Sequence, residues 1–367
     1  MADQDAPPTL QPATPKPHPY AGAPAYTRWR QAVAQPAPAA INPAPKLKFR
    51  IGRNDKIATA GSCFAQHIAA ALRRHSFTIM QTESAHPLLP AAMAERFGYG
   101  IYTARYGNIY TARQLLQTWR RATGALRPHD DVWMQDGRFY DPFRPSIQPK
   151  GFASLAEFQA DRDRHFAAIR AAFTSMDVLI FTLGLTECWA DRTDGSVYPV
   201  CPGTAAGQFD PARHELLNLS AAETTADLFQ FRDEIRAHNP HVRMILTVSP
   251  VPLVATALDQ HVLVSTTYSK SVLRVAAGMA AEDPDILYFP SYEIVTGAFA
   301  RGRYFAADLR NVTDAGVDHV MRVFLANAVD GANSAAAAPD AAPDTHFERL
   351  RQAVAILCDE EALDPGR

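Results

Sequence analysis

Continuous apolar runs alternate with amphipathic segments along most of this sequence. The run Val178–Leu183 is apolar except for Thr182, and such runs are typical of strands that are covered on both faces of a sheet. Similar runs occur at 57–60, 242–248 and 286–289, with segments of helical spacing between them. Strands and helices that alternate in this order predict a parallel sheet with helices on both faces. We therefore expect an α/β fold, built as a three-layer α/β/α sandwich.

Helical periodicity, capping residues and stop signals place the predicted helices between these runs. Ser154 and Glu157 begin the longest helix, and Asn239-Pro240 ends another. The predicted helices cover 66–74, 113–119, 154–173, 222–236, 269–281 and 313–326.

The two ends of the chain differ in composition from the rest. Eleven prolines lie between Pro7 and Pro45, and a segment so poor in N–H donors and apolar periodicity predicts a largely disordered arm over residues 1–50. Residues 331–344 are rich in Ala, Pro and Asp and predict a linker. Thr345 and Glu348 then form a capping box, which predicts a C-terminal helix within 345–367. The α/β domain is therefore expected over residues 51–330.

Residues 75–150 interrupt the alternation, because they are rich in Tyr, Arg, Gly, Pro and Trp. We interpret this stretch as an insertion that folds over one edge of the sheet. Ligands of open parallel sheets bind at the carboxyl ends of the strands. The insertion is therefore expected to form a wall of the site.

The composition argues against several classes of partner. The formal net charge is −2 and Lys and Arg are scattered, which argues against nucleic acid. The cysteines form no C-x-x-C pair, so we expect neither a metal site nor a cofactor. No apolar run has the length of a signal peptide or of a membrane span, and we expect a cytoplasmic protein. The oligomeric state stays open.

The pentapeptide Gly61-Ser62-Cys63-Phe64-Ala65 joins the first predicted strand to the first predicted helix. Free N–H groups and the positive end of the helix dipole point outward at such a turn, where they stabilise an oxyanion. Ser62 is therefore a candidate nucleophile for acyl transfer. The alternative is that Ser62 only caps the helix, a position that favours serine.

This pentapeptide is one of several motifs through which the chain resembles the GSCFA family. The others are RYGNIYT at 105–111, DPFRP at 141–145, FTLGLTE at 181–187, LTVSPVP at 246–252 and YSKS at 268–271. The resemblance covers residues 51–330. The family is similar to the SGNH or GDSL-like hydrolases, which implies a flavodoxin-like α/β/α sandwich and acyl-ester hydrolysis or acyl transfer.

The resemblance also implies roles for individual residues. Ser62 matches the SGNH nucleophile, whose N–H also serves the oxyanion hole. Gly184 matches the glycine of a later block, in which Thr186 replaces the expected Asn. A Thr hydroxyl can still donate one hydrogen bond. The implied oxyanion donors are therefore Ser62, Gly184 and Thr186.

The last block, 308–313, departs from the SGNH pattern. Asp308 matches the acid that orients the catalytic histidine, but Asn311 stands where that histidine is expected. Asn has no base that titrates near neutral pH. The remaining candidates for the general base are three histidines and, if burial raises its pKa, one carboxylate: His319, His86, His261 and Glu187.

Candidate substrate contacts lie near aromatic residues in turn-rich segments. Aromatic rings stack on sugar faces, and arginine binds oxyanions, so a sugar or an acidic head group suits these surroundings. The candidates are Glu187, Arg105, Asn108 and Arg144. The alternative for Arg105, Asn108 and Arg144 is that they tie the insertion to the core.

Two functions are consistent with these patterns. The first is an acyl-ester hydrolase or O-acyltransferase that uses Ser62 on a polar, carbohydrate-linked substrate, and the sequence leaves hydrolase and transferase open. The second is a non-catalytic module that binds a carbohydrate or a partner and has lost the general base, as Asn311 suggests. A Ser62 hydroxyl sealed inside the protein without a basic partner would favour the second.

Overall fold

The computed structural model describes residues 18–62 and 64–330. The chain divides into two compact units, Met1–Ile41 and Asn42–Arg367. The described part of the smaller unit contains short helical turns at Ala25–Thr27, Arg30–Ala34 and Pro38–Ala40. The first 17 residues of the predicted arm, the predicted linker 331–344 and the predicted helix within 345–367 lie outside the described residues.

The larger unit holds the strands and the longer helices. The strands are β1 Ile57–Gly61, β2 Trp133–Gln135, β3 Arg138–Tyr140, β4 Val178–Leu183, β5 Glu187–Asp191, β6 Val197–Tyr198, β7 His214–Asn218, β8 Arg243–Val248 and β9 Ile286–Phe289. The helices are α1 Phe64–Arg74, α2 Ala91–Arg96, α3 Ala112–Thr123, α4 Leu155–Ser175, α5 Ala221–Arg236, α6 Val262–Ala280, α7 Ser291–Thr296 and α8 Asp314–Ala328.

Four strands form the central parallel sheet, in the order β1-β4-β8-β9. Ile57 of β1 pairs with Val178 of β4, and Val178 pairs with Arg243 of β8. A parallel bridge joins Ile57 to Ile79. The Ile57 N–H donates to the carbonyl of Thr78, and the Met80 N–H donates to the carbonyl of Ile57. Residues 78–80 therefore lie along the outer edge of β1. The chain then crosses to β4, which pairs with the other edge of β1.

Alternate residues of these strands pack into different helix layers, as the period of a strand requires. Ala58 and Phe181 pack in one apolar cluster with residues of α3, α4, α5 and α6. Ile57 and Ile180 pack in a second cluster with residues of α1, α7 and α8. The parallel sheet with helices on both faces, predicted from the sequence, is confirmed.

The helix bounds differ from the predictions mainly at α6. This helix begins at Val262 rather than at 269, and the side chain of His261 accepts from the Leu263 N–H at its start. Ser154 caps α4 as predicted, by accepting from the Glu157 N–H. This cap was visible in the sequence because Ser is a local signal for the start of a helix.

The segment 187–218 was not predicted as strand, although β6, β5 and β7 form a three-stranded antiparallel sheet there. The predicted insertion at 75–150 is not confirmed as a separate element. Its helix α3 contributes Leu115, Leu116 and Trp119 to the main core, where α3 packs against α4 and α5.

Residues 42–50, which the sequence places in the arm, pack on the larger unit. Leu47 and Phe49 lie against its core, and the Lys48 amine donates to the Asp283 carbonyl at 2.7 Å. No helix in 18–62 or 64–330 is long and apolar enough to cross a membrane.

Candidate active site

The turn after β1 is shaped by a glycine at φ +137°. A Cβ at Gly61 would lie 2.5 Å from the Thr182 carbonyl oxygen on β4, so the two backbones approach too closely for a side chain. The Ser62 N–H donates to the same carbonyl at 3.3 Å, and the Ser62 carbonyl accepts from Ala65 at the start of α1 at 2.9 Å. Ser62 therefore lies at the strand-to-helix turn, as predicted.

Ser62 is 4 % exposed. Within the described part of the chain, its hydroxyl has no hydrogen-bond partner, and this includes every described histidine. The Tyr102 hydroxyl lies 3.2 Å from the Ser62 carbonyl oxygen and 2.7 Å from Asn108 Oδ1. In this conformation the Ser62 hydroxyl is buried, and no side chain in 18–62 or 64–330 is in position to accept its proton.

Gly184, at the end of β4, lies directly against Ser62. A Cβ at Gly184 would be 3.2 Å from Ser62 Cβ and 3.2 Å from Tyr110 Cδ1. The Tyr110 carbonyl accepts from the N–H groups of Gly184 and Leu185, and the Ile109 N–H donates to the Gly61 carbonyl. The segment Ile109-Tyr110 thus bridges the ends of β1 and β4 beside Ser62.

The three predicted oxyanion donors all have partners inside the protein. The Ser62 N–H donates to Thr182 and the Gly184 N–H to Tyr110. The Thr186 N–H donates to Ser269 Oγ at 3.0 Å, and the Thr186 hydroxyl donates to Asn218 at 2.7 Å. Movement of Ile109-Tyr110 would free the Gly184 N–H alone, because the Ser62 and Thr186 donors are bonded to other groups. The oxyanion role of these groups stays a prediction.

Asp308 does not contact a described histidine. Its carboxylate accepts from the N–H groups of Arg310 and Asn311 and from the Asn311 side chain. Burial would raise the pKa of Asp308, but these hydrogen bonds lower it below its usual value. Residues 308–311 therefore form a turn around the Asp308 carboxylate. The Asn311 side chain donates the hydrogen bond that a catalytic histidine at this position would donate.

The histidine candidates are held in three different places. His319 is buried in α8, with Nδ1 2.8 Å from the Tyr304 hydroxyl. His86 is exposed and accepts from the Leu88 N–H, while His261 is exposed at the start of α6. Glu187 accepts from the Thr256 hydroxyl at 2.7 Å, and burial raises its pKa.

Arg105 and Arg144 belong to a buried ion network. Arg105 binds Asp161 at 2.8 Å, and Arg144 binds Asp161 at 2.6 Å and Asp141 at 2.7 Å. Glu83 accepts from the Arg105 N–H at 2.8 Å and lies 2.7 Å from His165 Nδ1. Both guanidinium groups are thus paired with carboxylates, as expected if they tie residues 75–150 to the core.

The network sets the charge state of its members. Burial would raise the pKa of Glu83, but its hydrogen bond with His165 and the charge of Arg144 lower it to about 2. Burial and the charge of Arg144 lower the pKa of His165 to about 4. At neutral pH an uncharged His165 therefore donates to a charged Glu83.

The cavity beside Asn108 and Arg144 is too small for a sugar. Gln66, Tyr102, Asn108 and Arg144 line about 20 Å³, which is room for about one water. A cleft of about 400 Å³ lies at the same edge of the sheet as Ser62, between the loop after β8 and the turn at 308–311. Leu253 and Val262 line this cleft and pack in one cluster with Tyr110.

For Lys270 the sequence favours an ion pair or a substrate contact over a catalytic role. Lys270 of α6 is 1 % exposed, and its amine donates to the Gly184 carbonyl at 2.7 Å. The sequence signal was present, because Lys270 lies in the YSKS motif, but nothing local shows that this helix position faces the end of β4.

Among the described residues, Asp130, Asp191 and His214 offer ligand atoms within 4.8 Å of one another. His214 Nδ1 accepts from the Asp210 N–H at 3.1 Å, so the proton of the neutral ring is on Nε2. Arg213 also lies 3.0 Å from Asp130. A protonated Nε2 and a neighbouring cation do not suit a metal ion.

A family model matches most of the described α/β part of the chain. Residues 56–324 match the model of the GSCFA family, a stretch that runs from the start of the sheet to the last helix. No curated protein matches the chain. Because the matched stretch covers more than half of the sequence, the chain belongs to the GSCFA family.

Proposed function

We propose that this protein is an acyl-ester hydrolase or O-acyltransferase of the SGNH type, with Ser62 as the nucleophile. The observation that carries the proposal is the position of Ser62 and Gly184 at the ends of β1 and β4. The chain leaves β1 toward Ile79 on one side, and β4 leads to β8 on the other. Ligands of open α/β sheets bind where the connections diverge in this way.

The sealed hydroxyl means that the site must open before it can react. Ile109-Tyr110 is held beside Ser62 by backbone hydrogen bonds to both strand ends. Tyr110 also packs against Leu253 and Leu185. Displacement of Tyr110 would connect Ser62 with the cleft of about 400 Å³, a volume in the range of small-molecule sites. The polar, carbohydrate-linked substrate stays part of the proposal.

A fluorophosphonate probe tests the nucleophile without knowledge of the substrate. We expect covalent labelling of the full chain at Ser62, located by peptide mass spectrometry, and no labelling of Ser62→Ala. Short-chain aryl esters should be turned over by the wild type and not by Ser62→Ala. Equal turnover by both proteins would remove Ser62 from the mechanism.

The binding module remains the second candidate, because no described histidine contacts the Ser62 hydroxyl and Asn311 closes the Asp308 turn. This function predicts a glycan-induced rise in Tm that survives Ser62→Ala, since a ligand that binds the folded state stabilises it. It also predicts no fluorophosphonate labelling, so the same two proteins separate the candidates.

A further inference from the structure

A serine nucleophile needs a proton acceptor, and the histidine candidates are engaged elsewhere. His319 is bonded to Tyr304, and the Nδ1 atoms of His86 and His261 accept from backbone N–H groups. Glu187 is likewise bonded to the Thr256 hydroxyl. A base must therefore be another titratable side chain that reaches the residues next to Ser62.

Lys270 is such a side chain. Its amine is bonded to the Gly184 carbonyl at 2.7 Å, and the Cβ position of the same Gly184 lies 3.2 Å from Ser62 Cβ. The Lys270 amine and Ser62 thus both lie next to Gly184, at the end of β4. Lys270 is 1 % exposed, so water contributes little to the solvation of its charge.

The chemistry of a buried amine suits proton transfer. Burial disfavours the charged form of lysine, and buried lysines serve as general bases for this reason. An uncharged amine has two N–H groups and one lone pair. One N–H can keep the bond to Gly184 while the lone pair accepts the serine proton.

We propose that Lys270 is the general base of the reaction, an assignment that rests on the function proposed for Ser62. When Tyr110 moves aside, the Ser62 hydroxyl turns toward the Lys270 amine and gives up its proton. Ser62 Oγ forms a bond to the acyl carbon, the bond to the leaving alcohol breaks, and the Lys270 ammonium returns the proton to that alcohol. A water or an acceptor hydroxyl then attacks the acyl carbon and passes its proton to Lys270. The bond between Ser62 Oγ and the acyl carbon breaks, and the Lys270 ammonium returns that proton to Ser62 Oγ.

Fluorophosphonate labelling of Ser62 tests this step directly. Ser62 Oγ bonds to phosphorus, fluoride leaves, and the serine proton must pass to a base. We expect Lys270→Met to slow labelling by at least about 100-fold, the lower range for loss of a general base. Lys270→Gln should lose as much, because its amide can donate to Gly184 but has no basic lone pair. The exposed Lys150 gives the control, and Lys150→Met should label at the wild-type rate.

The outcomes separate this inference from the proposed function. If Ser62 is labelled equally fast in the wild type and in folded Lys270→Met, Lys270 is not the base, although Ser62 remains the nucleophile. Recovery of the wild-type rate in Lys270→Gln would show a positioning role and overturn the assignment. A wild type that neither labels at Ser62 nor turns over esters would overturn both proposals. Melting curves of each variant show whether it is folded.

Discussion

Gly184 and Ser62 lie next to each other across the ends of two neighbouring strands. A Cβ at Gly184 would lie 3.2 Å from Ser62 Cβ and 3.3 Å from the Tyr110 carbonyl oxygen, closer than ordinary van der Waals contact. Because Gly184 has no side chain, three groups can lie next to its backbone. They are Ser62, the segment Ile109-Tyr110 and the Lys270 amine.

Gly184→Ala should therefore disturb the site more than the fold. The added methyl group crowds Ser62 and Tyr110, and overpacking costs about 1–3 kcal/mol. Reduced freedom of the unfolded chain offsets about 0.4–1 kcal/mol of this. We expect a small fall in Tm and a large fall in fluorophosphonate labelling. Gly278→Ala in α6 is the control, because a Cβ there meets only the end of Arg274. Unchanged labelling of Gly184→Ala would contradict the proposed site.

Gly61→Ala should prevent stable folding. Its φ of +137° is strained for any side chain, and a Cβ would lie 2.5 Å from the Thr182 oxygen. The clash involves the backbone of β4, which cannot yield without breaking the pairing of β1 with β4. Gly124→Ala is the matched control, because Gly124 also has a positive φ (+78°) but no atom within 4 Å. We expect the control to lose about 1 kcal/mol in urea unfolding, and a similar loss for Gly61→Ala would show that the close approach is unimportant.

Arg144→Met should lower the free energy of unfolding by about 3–5 kcal/mol, the usual cost of leaving buried charges without their partner. Arg144 is 3 % exposed and pairs with Asp141 and Asp161. Arg192 pairs with Glu215 at the surface, and Arg192→Met should cost less than about 1 kcal/mol. Chemical denaturation of both variants gives the comparison. Equal losses would mean that the buried network contributes no more than a surface pair.

The pH dependence of stability should include a step from His165. The folded protein lowers its pKa from 6.5 to about 4, through burial and the charge of Arg144, so the unfolded chain takes up the proton first as pH falls. His165 therefore has no effect on the free energy of unfolding above pH 6.5 and lowers it progressively as the pH falls from 6.5 to about 4. The folded protein also lowers the pKa of Glu83. Protonation of Glu83 should therefore lower the free energy of unfolding further below pH 4.5.

His165→Asn isolates this step, because the Asn amide can donate to Glu83 in place of Nδ1 but does not titrate. Between pH 7 and 4.5 we expect Tm to fall less in His165→Asn than in the wild type. Parallel curves for the two proteins would assign the acid sensitivity to other groups.

The sequence by itself determined the layers of the fold and the turn that carries Ser62. Val178–Leu183 and Ile286–Phe289 are strands within the predicted bounds, and Ser154 caps α4 where predicted. These features depend on periodicity and capping, which act between residues close in sequence.

The tertiary structure decided what surrounds Ser62. Ile79 joins the sheet through one bridge, Tyr110 covers the strand ends, and Lys270 reaches Gly184 across 86 positions of the chain. Arg105 and Arg144 are paired in a buried network, although in the sequence they were equally suited to bind a substrate. A residue's partners depend on which distant segments pack beside it, and periodicity carries no information about that choice.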